Sequence, residues 1–315
     1  MKIRAYREND WQTLFRLYNE CYVADRVSEK FFLEHLIMEP NFDAGGVFIA
    51  EENGVETGAV AAQIITRNLS PWSDQVAKAR GTGYMMPLIC FTPEVGKALI
   101  AEAEKYFSEH GIVQVQAAAA GAYLFPDGID EETNPLLGKI LSECGYKQAG
   151  HHYSMRCDLH KWRISDAVAE KIRAGEIAGI TAKVCGLSDL PALRRFLTSG
   201  DLIARMQNVA QKLSRNELDE IVIIRSADEV LGYCQYNYYG EPDRVGPFGI
   251  AKGHRGQGLG QIMVTKLLET MVRRGFRSAW FASCTEANTH FYSKNGFERF
   301  RIKYLYTKQL ERSGS

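Results

Sequence analysis

The chain has 315 residues, of which 45% are hydrophobic and 24% are charged. Its 38 basic and 38 acidic residues cancel, so no overall charge attracts nucleic acid or an anionic membrane. No apolar run approaches the roughly 20 residues of a membrane-spanning helix, and the first residues lack a signal-peptide core. We therefore expect a soluble, cytoplasmic protein of two domains, since one domain usually takes about 150 residues.

The seven cysteines are dispersed and include no Cys-x-x-Cys pair, which favours reduced thiols over a disulfide framework. The seven histidines form no spacing typical of metal ligands. His151 and His152, adjacent on a predicted strand, point to opposite faces. We therefore expect no metal site.

The first half begins with a predicted strand at Ile3, a cap at Asp10 and a helical pattern through Tyr22. Residues 47–51, a turn at Asn53-Gly54, and residues 57–65 predict a hairpin. The second half repeats this order, with a strand from Ile180, a cap at Asp189, and a hairpin formed by residues 221–224 and 230–238. These parallels indicate an internal duplication.

A connector between the halves, roughly residues 158–179, contains a helical pattern that Ser165-Asp166 caps and Ala174-Gly175 ends. It is neither Gly/Ser-rich nor low in complexity, which favours a packed bridge over a flexible tether. The expected domains are residues 1–158, a helical connector of residues 159–178, and residues 179–315.

A glycine turn in the second half carries the strongest functional signal. Residues 245–251 predict a strand, glycines follow at 256, 258 and 260, and a helical pattern runs from Leu259 to Met271 before Gly275. Glycines at a helix N-terminus let backbone N–H groups approach an anion where the helix dipole is positive. This pattern predicts a site for a phosphate-bearing ligand.

Two other phosphate motifs fit this turn less well. A P-loop has Lys and then Ser or Thr after its last glycine, whereas Gly260 is followed by Gln261 and Ile262. A dinucleotide fingerprint has other glycine spacing and an acidic residue about 20 positions on. No Asp or Glu lies between Thr270 and Thr285.

The turn instead resembles the acyl-coenzyme A signature of the GNAT acetyltransferase superfamily, which Arg255, Gly258 and Gly260 fill. A second GNAT signature, an Asn, a Tyr one helical turn later and then Gly-Phe, resembles Asn288, Tyr292 and residues 296–297. The resemblance implies an α/β (α+β) fold of two tandem GNAT-like domains. Each would have a mixed, mostly antiparallel central sheet flanked by helices.

The resemblance also implies acetyl-CoA as cosubstrate, its diphosphate at the backbone amides of the turn and its pantetheine arm along the preceding strand. The implied cofactor-binding residues are Phe248, Gly249, Ile250, Arg255, Gly256, Gln257, Gly258, Leu259, Gly260 and Asn288. In the family, the Tyr hydroxyl protonates or hydrogen-bonds the departing thiolate. A phenol pKa near 10 leaves Tyr292 protonated at neutral pH and able to donate.

Simpler interpretations of these residues stay open. Tyr292 can be a packed aromatic, Asn288 a helix cap and Arg255 a loop side chain. Glu241, Asp243 and Glu286 lie near expected strand ends, where each is a candidate base or an ordinary surface acid.

Cys284 and a group of tyrosines complete the candidates. Cys284 suggests a covalent acyl-enzyme, but nothing nearby in sequence identifies an activating base, and free Cys is usually a small buried hydrophobe. The family generally transfers directly, which favours a ternary complex. A group of mostly aromatic residues precedes the strand predicted at residues 245–251: Tyr233, Cys234, Tyr236, Tyr238 and Tyr239. These residues either line an acceptor pocket or form an ordinary aromatic strand.

The first copy lacks the expected chemistry. Aligning the halves places Gly96 opposite Gly260, and residues 92–94 opposite residues 256–258. Pro93 removes an N–H donor, and Glu94 brings bulk and negative charge where phosphate belongs. Leu141 stands where the second copy has its tyrosine. We expect a GNAT-like fold without a cofactor site.

Three functions follow in order of preference. The first is a GNAT-type N-acyltransferase that moves acetyl from acetyl-CoA to a primary amine of a small molecule or peptide. The second is a non-catalytic acyl-CoA-binding sensor or scaffold, and the third is a structural protein with two degenerate folds. The sequence leaves open the acceptor, the base and the oligomeric state.

Overall fold

The computed structural model describes residues 1–66, 81–117, 127–199 and 205–311. These residues fall into two compact units. The N-terminal unit holds residues 1–66, 81–117, 127–153 and 301–311, and the C-terminal unit holds residues 154–199 and 205–300.

The N-terminal unit is built on a sheet with the strand order β1-β2-β3-β4-β5-β12-β6. β4 and β5 are parallel, and the pairs β1-β2, β2-β3, β3-β4 and β5-β12 are antiparallel. Its strands are β1 (Lys2–Ala5), β2 (Val47–Glu52), β3 (Val55–Ile64), β4 (Thr82–Cys90), β5 (Gln114–Ala117), and most of β6 (Lys147–Asp158) and β12 (Glu298–Gln309). Residues 154–158 of β6 and 298–300 of β12 belong to the C-terminal unit. Its helices are α1 (Trp11–Cys21), α2 (Glu29–Phe32, continued by a π turn at Leu33–Ile37), α3 (Pro93–Glu109) and α4 (Pro135–Glu143).

The C-terminal unit has an antiparallel sheet with the order β10-β9-β8-β7. Its strands are β7 (Thr181–Val184), β8 (Ile221–Arg225), β9 (Val230–Gln235), β10 (Phe248–Ile250) and β11 (Ser278–Cys284), which neighbours β6. Its helices are α5 (Asp166–Ile177), α6 (Leu190–Thr198), α7 (Met206–Ser214), α8 (Leu259–Arg273) and α9 (Glu286–Ser293). Both sheets are mixed or antiparallel and carry helices, as the predicted fold class requires.

Helical periodicity explains how the helix after the first strand of each unit packs. In α1 the buried positions include Leu14, Leu17 and Tyr18, and in α6 they include Leu193 and Leu197. Spacings of three and four residues place such side chains on one face of a helix, where they can cover a sheet. The hairpin turn predicted at Asn53-Gly54 is also confirmed, with φ of 52° and 79°.

The internal duplication is confirmed by matching ion pairs at the start of each unit. In the N-terminal unit, Arg4 of β1 lies 2.6 Å from Asp10, which also accepts the Arg7 amide. In the C-terminal unit, Lys183 of β7 lies 2.8 Å from Asp189, and this carboxylate accepts the Gly186 amide. Each carboxylate fixes the turn between the first strand of its unit and the helix that follows that strand.

The last strand divides the chain differently from the boundaries expected at residues 158 and 179. Residues from Arg301 onward belong to the N-terminal unit, where β12 lies between β5 and β6. The Lys303 ammonium, buried, lies 2.9 Å from Asp25, and Arg301 lies 2.8 Å from the same carboxylate. The strand thus pairs the backbone of β5 and fixes a buried charge, which local sequence patterns do not reveal.

Candidate functional site

The glycine turn follows the edge strand of the C-terminal unit. β10 is the terminal strand of its sheet and leads through a 3₁₀ turn at Lys252–His254. Gly256 and Gly258 then adopt φ of 78° and 83°, a left-handed conformation that strains other residues. α8 starts directly after Gly258, at Leu259. The strand, glycine turn and helix predicted from the sequence are confirmed.

The backbone amides of residues 256–260 form no hydrogen bond with any residue that the structure describes. Gly258, at the N-cap position of α8, has no side chain to accept one. The α8 helix is 15 residues long, and its dipole places partial positive charge at this end. Consecutive N–H groups without acceptors at such a terminus are suited to bind an anion.

Two contacts explain why side chains are excluded from the turn. A Cβ atom on Gly260 would lie 3.1 Å from the Phe291 ring of α9. A Cβ atom on Gly258 would lie 3.3 Å from Cδ of Lys171, a residue of α5. Side chains at these two positions would therefore crowd a neighbouring helix, whereas a Cβ atom on Gly256 would meet nothing within 4 Å.

The polar side chains of the turn shape it from within. Arg255 Nε donates to the Ile250 carbonyl at 3.1 Å, and Gln257 Nε2 donates to the Gly253 carbonyl at 3.3 Å. Both side chains are exposed. In this structure they hold the turn against the end of β10, and the amides of the turn remain available for a ligand.

The segment just before β10 pairs with β11 at one point, and β10 itself pairs with β9. The Val245 amide donates to the Trp280 carbonyl at 2.7 Å, and Arg244 and Trp280 form an isolated parallel bridge. Beyond this bridge, Phe248, Gly249 and Ile250 pair with β9. The outer edge of β10 is therefore a place where an extended ligand arm can add main-chain hydrogen bonds.

Tyr292 of α9 lies in an aromatic cluster beside this edge. Its ring centroid lies 4.4 Å from that of Phe281 of β11 and 6.1 Å from that of Phe248 of β10. The side chain is half-buried, and its hydroxyl makes no hydrogen bond with a described residue. Burial, followed by the nearby Cys284 and Cys234, raises the pKa of Tyr292 well above its usual value. The phenol therefore stays protonated at neutral pH.

Asn288 lies one helical turn before Tyr292 on α9 and shares its face. Its side chain is exposed and makes no hydrogen bond with a described residue, so it does not cap the helix. The amide group is available to a ligand that passes along α9. The predicted spacing of the two residues is thus present, and among the described residues no hydrogen bond engages either polar group.

The three candidate bases are engaged elsewhere. Glu241 pairs with Arg244 at 2.6 Å, and Glu286 pairs with Arg299. Asp243 accepts hydrogen bonds from Trp280 Nε1 at 3.0 Å and from Ser278. Each carboxylate has a structural partner, which favours the interpretation as ordinary acids.

Cys284 has the properties of a buried thiol. Its sulfur lies 3.6 Å from the sulfur of Met155, and burial raises its pKa to about 11. At neutral pH the thiol is therefore protonated and a poor nucleophile. This environment argues against a covalent acyl-enzyme.

The tyrosine run before β10 divides into two groups. Tyr233 and Tyr236 are fully buried, and Tyr233 packs in the core of the C-terminal unit. Tyr238 and Tyr239 are half-buried, and their ring centroids lie 4.0 Å apart. The aromatic-strand interpretation holds for the first pair, and only the second pair can line a pocket wall.

The corresponding turn of the N-terminal unit has a different chemistry. The Thr92 hydroxyl accepts the Val95 amide and caps α3, and Pro93 has no N–H. Gly96 is in close contact with α4, because a Cβ atom there would lie 2.8 Å from Ile140. Gly96 and Ile140 thus occupy the places of Gly260 and Phe291, which supports the alignment. Leu141, in the place of Tyr292, is fully buried in the core.

Lys171 is the residue at this site that the sequence interpretation missed. It is exposed, and its ammonium donates to Gln261 Oε1 in the first turn of α8. α5 appeared in the sequence only as a connector, because nothing in its spacing shows which helix it packs against. Only the packing of α5 on α8 places this cation beside the glycine turn.

Comparisons with known proteins agree with this geometry. Residues 191–297 match the model of the acetyltransferase (GNAT) family. A curated relative from Drosophila melanogaster, "alanine--glyoxylate aminotransferase 2-like", is 33% identical over 107 residues. The match covers 32% of this chain and 22% of that relative, so the chain spans about a fifth of its length.

Two solved structures share the fold over nearly the whole chain. One contains a GCN5-related glucosamine N-acetyltransferase region of a fungal multi-domain GH3 β-N-acetylglucosaminidase, with a TM-score of 0.74 and 15% identity. The match covers 98% of this chain and 38% of that one. The other is a tandem GNAT protein from the clavulanic acid biosynthesis pathway, with a TM-score of 0.63, 15% identity and 99% of both chains covered. At this identity the likeness shows the fold alone.

Proposed function

We propose that the protein is an N-acyltransferase, because residues 191–297 match the acetyltransferase (GNAT) family and the chain shares the fold of a tandem GNAT protein. It moves acetyl from acetyl-CoA to a primary amine of a small molecule or peptide. The observation that carries this proposal is the row of amides at residues 256–260, without acceptors in the described protein, at the start of α8.

The cofactor fits the groups that this chain presents. The amides of residues 256–260 hold the diphosphate, because they combine hydrogen-bond donors with the positive end of the helix dipole. The outer edge of β10 holds the amide-bearing pantetheine arm as an added strand. Asn288, exposed on α9, offers a further amide group to that arm.

Tyr292 acts as hydrogen-bond donor to the leaving group. Bound acetyl-CoA supplies an acyl group activated as a thioester, with a thiolate as leaving group. A thiol has a pKa of about 8.5, below that of a phenol at about 10, so a hydrogen bond to the thiolate is favoured over complete proton transfer. The raised pKa of Tyr292 strengthens this preference and keeps the donor protonated.

Transfer is direct within a ternary complex. The protonated Cys284 thiol does not serve as an acyl carrier at neutral pH. The nearby carboxylates have structural partners. The acceptor amine therefore loses its proton to water or to a group that arrives with the substrate.

One cofactor site per chain follows from the contrast between the two turns. Thr92 and Pro93 cap α3 internally, whereas Gly258 leaves α8 open to a ligand. The N-terminal unit then has a structural role.

A second candidate, a non-catalytic acyl-CoA sensor, is favoured by the engagement of Glu241, Asp243 and Glu286, which leaves no assigned base.

Replacement of Gly258 tests the proposal. A side chain at φ of 83° strains the backbone of this turn and changes the direction of its N–H groups. Gly258→Ala should therefore weaken acetyl-CoA binding at least about tenfold. Gly275→Ala is the matched control, because Gly275 has φ of 84° beyond the other end of α8. Wild-type protein at 100 times the dissociation constant should gain about 2.7 kcal/mol of stability from acetyl-CoA.

The outcomes separate the two candidate functions. Thermal stabilisation by acetyl-CoA together with thiol release in an amine screen supports the acyltransferase. Stabilisation without turnover on any amine supports the sensor. If acetyl-CoA does not stabilise the wild-type protein, or if both glycine variants bind equally well, the site is wrongly assigned.

A further inference from the structure

A pocket of about 500 Å³ lies in the C-terminal unit at the start of α5, outside the groups assigned above. Its charged lining consists of Arg156, Lys161, Arg163 and Lys294, with Asp158 and Glu298. Cations outnumber acids four to two in this lining. The pocket therefore favours an anionic ligand.

Contacts within the lining leave this excess of positive charge in place. The Lys161 ammonium lies 3.5 Å from Asp158, so that acid already has a cation. Arg163 donates to the carbonyl groups of His160 and Trp162, neither of which is charged. Lys294 is exposed, and its ammonium forms no hydrogen bond or ion pair with a described residue. Lys294 is thus the cation most available to a ligand.

An aromatic ring adds a second property. Trp162 lines the pocket and is half-buried. Its edge packs against the backbone of Gly296, where a Cβ atom would lie 3.0 Å from Trp162 Cδ1. An anchored indole beside several cations is suited to a ligand that combines a flat base with phosphate, because bases stack on aromatic rings and phosphate pairs with cations.

The pocket borders the same two helices as the glycine turn. Thr265 of α8 lines it, five residues after Gly260, which is about 7.5 Å along a helix. Val168 of α5 lines it, one helical turn before Lys171, whose side chain lies against Gly258. The pocket therefore lies about two turns of helix or less from a ligand that the amides of the glycine turn hold.

We propose that this pocket binds the 3′-phosphoadenosine end of acyl-CoA, with Lys294 contacting the 3′-phosphate. The inference rests on the proposed function, since the diphosphate at residues 256–260 fixes where the nucleotide begins. The pocket then selects for the 3′-phosphate, which distinguishes coenzyme A from its dephosphorylated precursor. The connector between the two folds, through α5 and the residues before it, becomes part of the cofactor site.

Calorimetric titration of the full chain with acetyl-CoA and with acetyl-dephospho-CoA tests this assignment. Wild-type protein should bind acetyl-CoA about tenfold more tightly, the effect expected of a charge-assisted contact. Lys294→Ala should remove most of this preference and leave the affinity for the dephospho form unchanged. The matched control is Lys266→Ala, because Lys266 lies on α8 and pairs with Glu269 at 3.0 Å.

The contrary outcomes are distinct. If the wild-type protein binds both forms equally, or if Lys294→Ala weakens both alike, the pocket assignment fails while the proposed function stands. If the wild-type protein binds neither form, the proposed function fails. Adenosine 3′,5′-bisphosphate should compete with acetyl-CoA; simultaneous binding of the two would show that the pocket is a separate nucleotide site and would overturn the proposal.

Discussion

Gly260 of α8 and Phe291 of α9 pack so closely that a Cβ atom on Gly260 would lie 3.1 Å from the Phe291 ring. This contact joins the turn proposed to bind the diphosphate to the helix that carries Tyr292. The position of the proposed hydrogen-bond donor therefore depends on a glycine 32 positions earlier in the chain.

Gly260→Ala should push the two helices apart. We expect a loss of about 1–3 kcal/mol in the free energy of unfolding, typical of overpacking, together with weaker acetyl-CoA binding. Urea unfolding and calorimetry measure the two effects. Gly96→Ala is the matched control, because it meets Ile140 in the N-terminal unit and should destabilise without changing the affinity for acetyl-CoA. Equal loss of affinity in both variants would contradict this coupling.

Tyr292→Phe should lower kcat about 100-fold, the usual effect of removing one preorganised hydrogen-bond donor to a developing charge, and leave the dissociation constant of acetyl-CoA unchanged. The ring contacts with Phe281 and Phe248 are retained, so the fold is kept. Because burial raises the pKa of Tyr292, ionisation of this residue should not reduce the wild-type rate at any pH up to about 10. Unchanged turnover with a verified acceptor would rule out the proposed donor.

Lys171→Ala should raise the dissociation constant of acetyl-CoA about fivefold, because it removes a cation beside the diphosphate site. Lys171→Arg should restore part of the affinity, and the salt dependence of binding should become weaker in Lys171→Ala. Arg173→Ala removes one charge from the same exposed helix and is the control. Equal effects of the Lys171 and Arg173 changes would mean that only overall charge matters.

Acid should destabilise both units through their first carboxylates. Burial opposes ionisation, but hydrogen bonds from Lys183 and Arg225 lower the pKa of Asp189. The Arg4 side chain and the Arg7 amide likewise lower the pKa of Asp10 against the effect of burial. A carboxylate whose pKa is lowered in the folded state stabilises the fold at pH values above its unfolded-state pKa of about 3.9. This stability is lost as the pH falls through the folded-state pKa.

Asp189→Asn should cost about 2 kcal/mol at neutral pH and make stability less sensitive to acid. Urea unfolding between pH 7 and pH 3 measures both effects. Glu20→Gln is the control, since Glu20 forms an exposed pair with Arg16 and such pairs contribute little. A variant that keeps the wild-type slope below pH 5 would contradict the assigned role of Asp189.

Features that depend on neighbours along the chain can be predicted from the residue pattern. Left-handed glycines followed by an apolar helix specify the turn at Gly256 and Gly258, because backbone sterics act locally. The four-residue spacing of Asn288 and Tyr292 places both on one face of any helix. Pro93 excludes a donor wherever it occurs. The position of the candidate site can therefore be predicted from the sequence without knowledge of the fold.

The three-dimensional fold brings together groups that are distant in the sequence. It placed β12 beside β5, brought Lys171 to the glycine turn, gave Asp243 and the other acids structural partners, and buried Tyr233 in the core. No local spacing encodes these outcomes, because strand pairing and helix packing are selected by the total burial and hydrogen bonding of the whole chain. Close packing then leaves few places where backbone donors such as those at residues 256–260 stay open to a ligand.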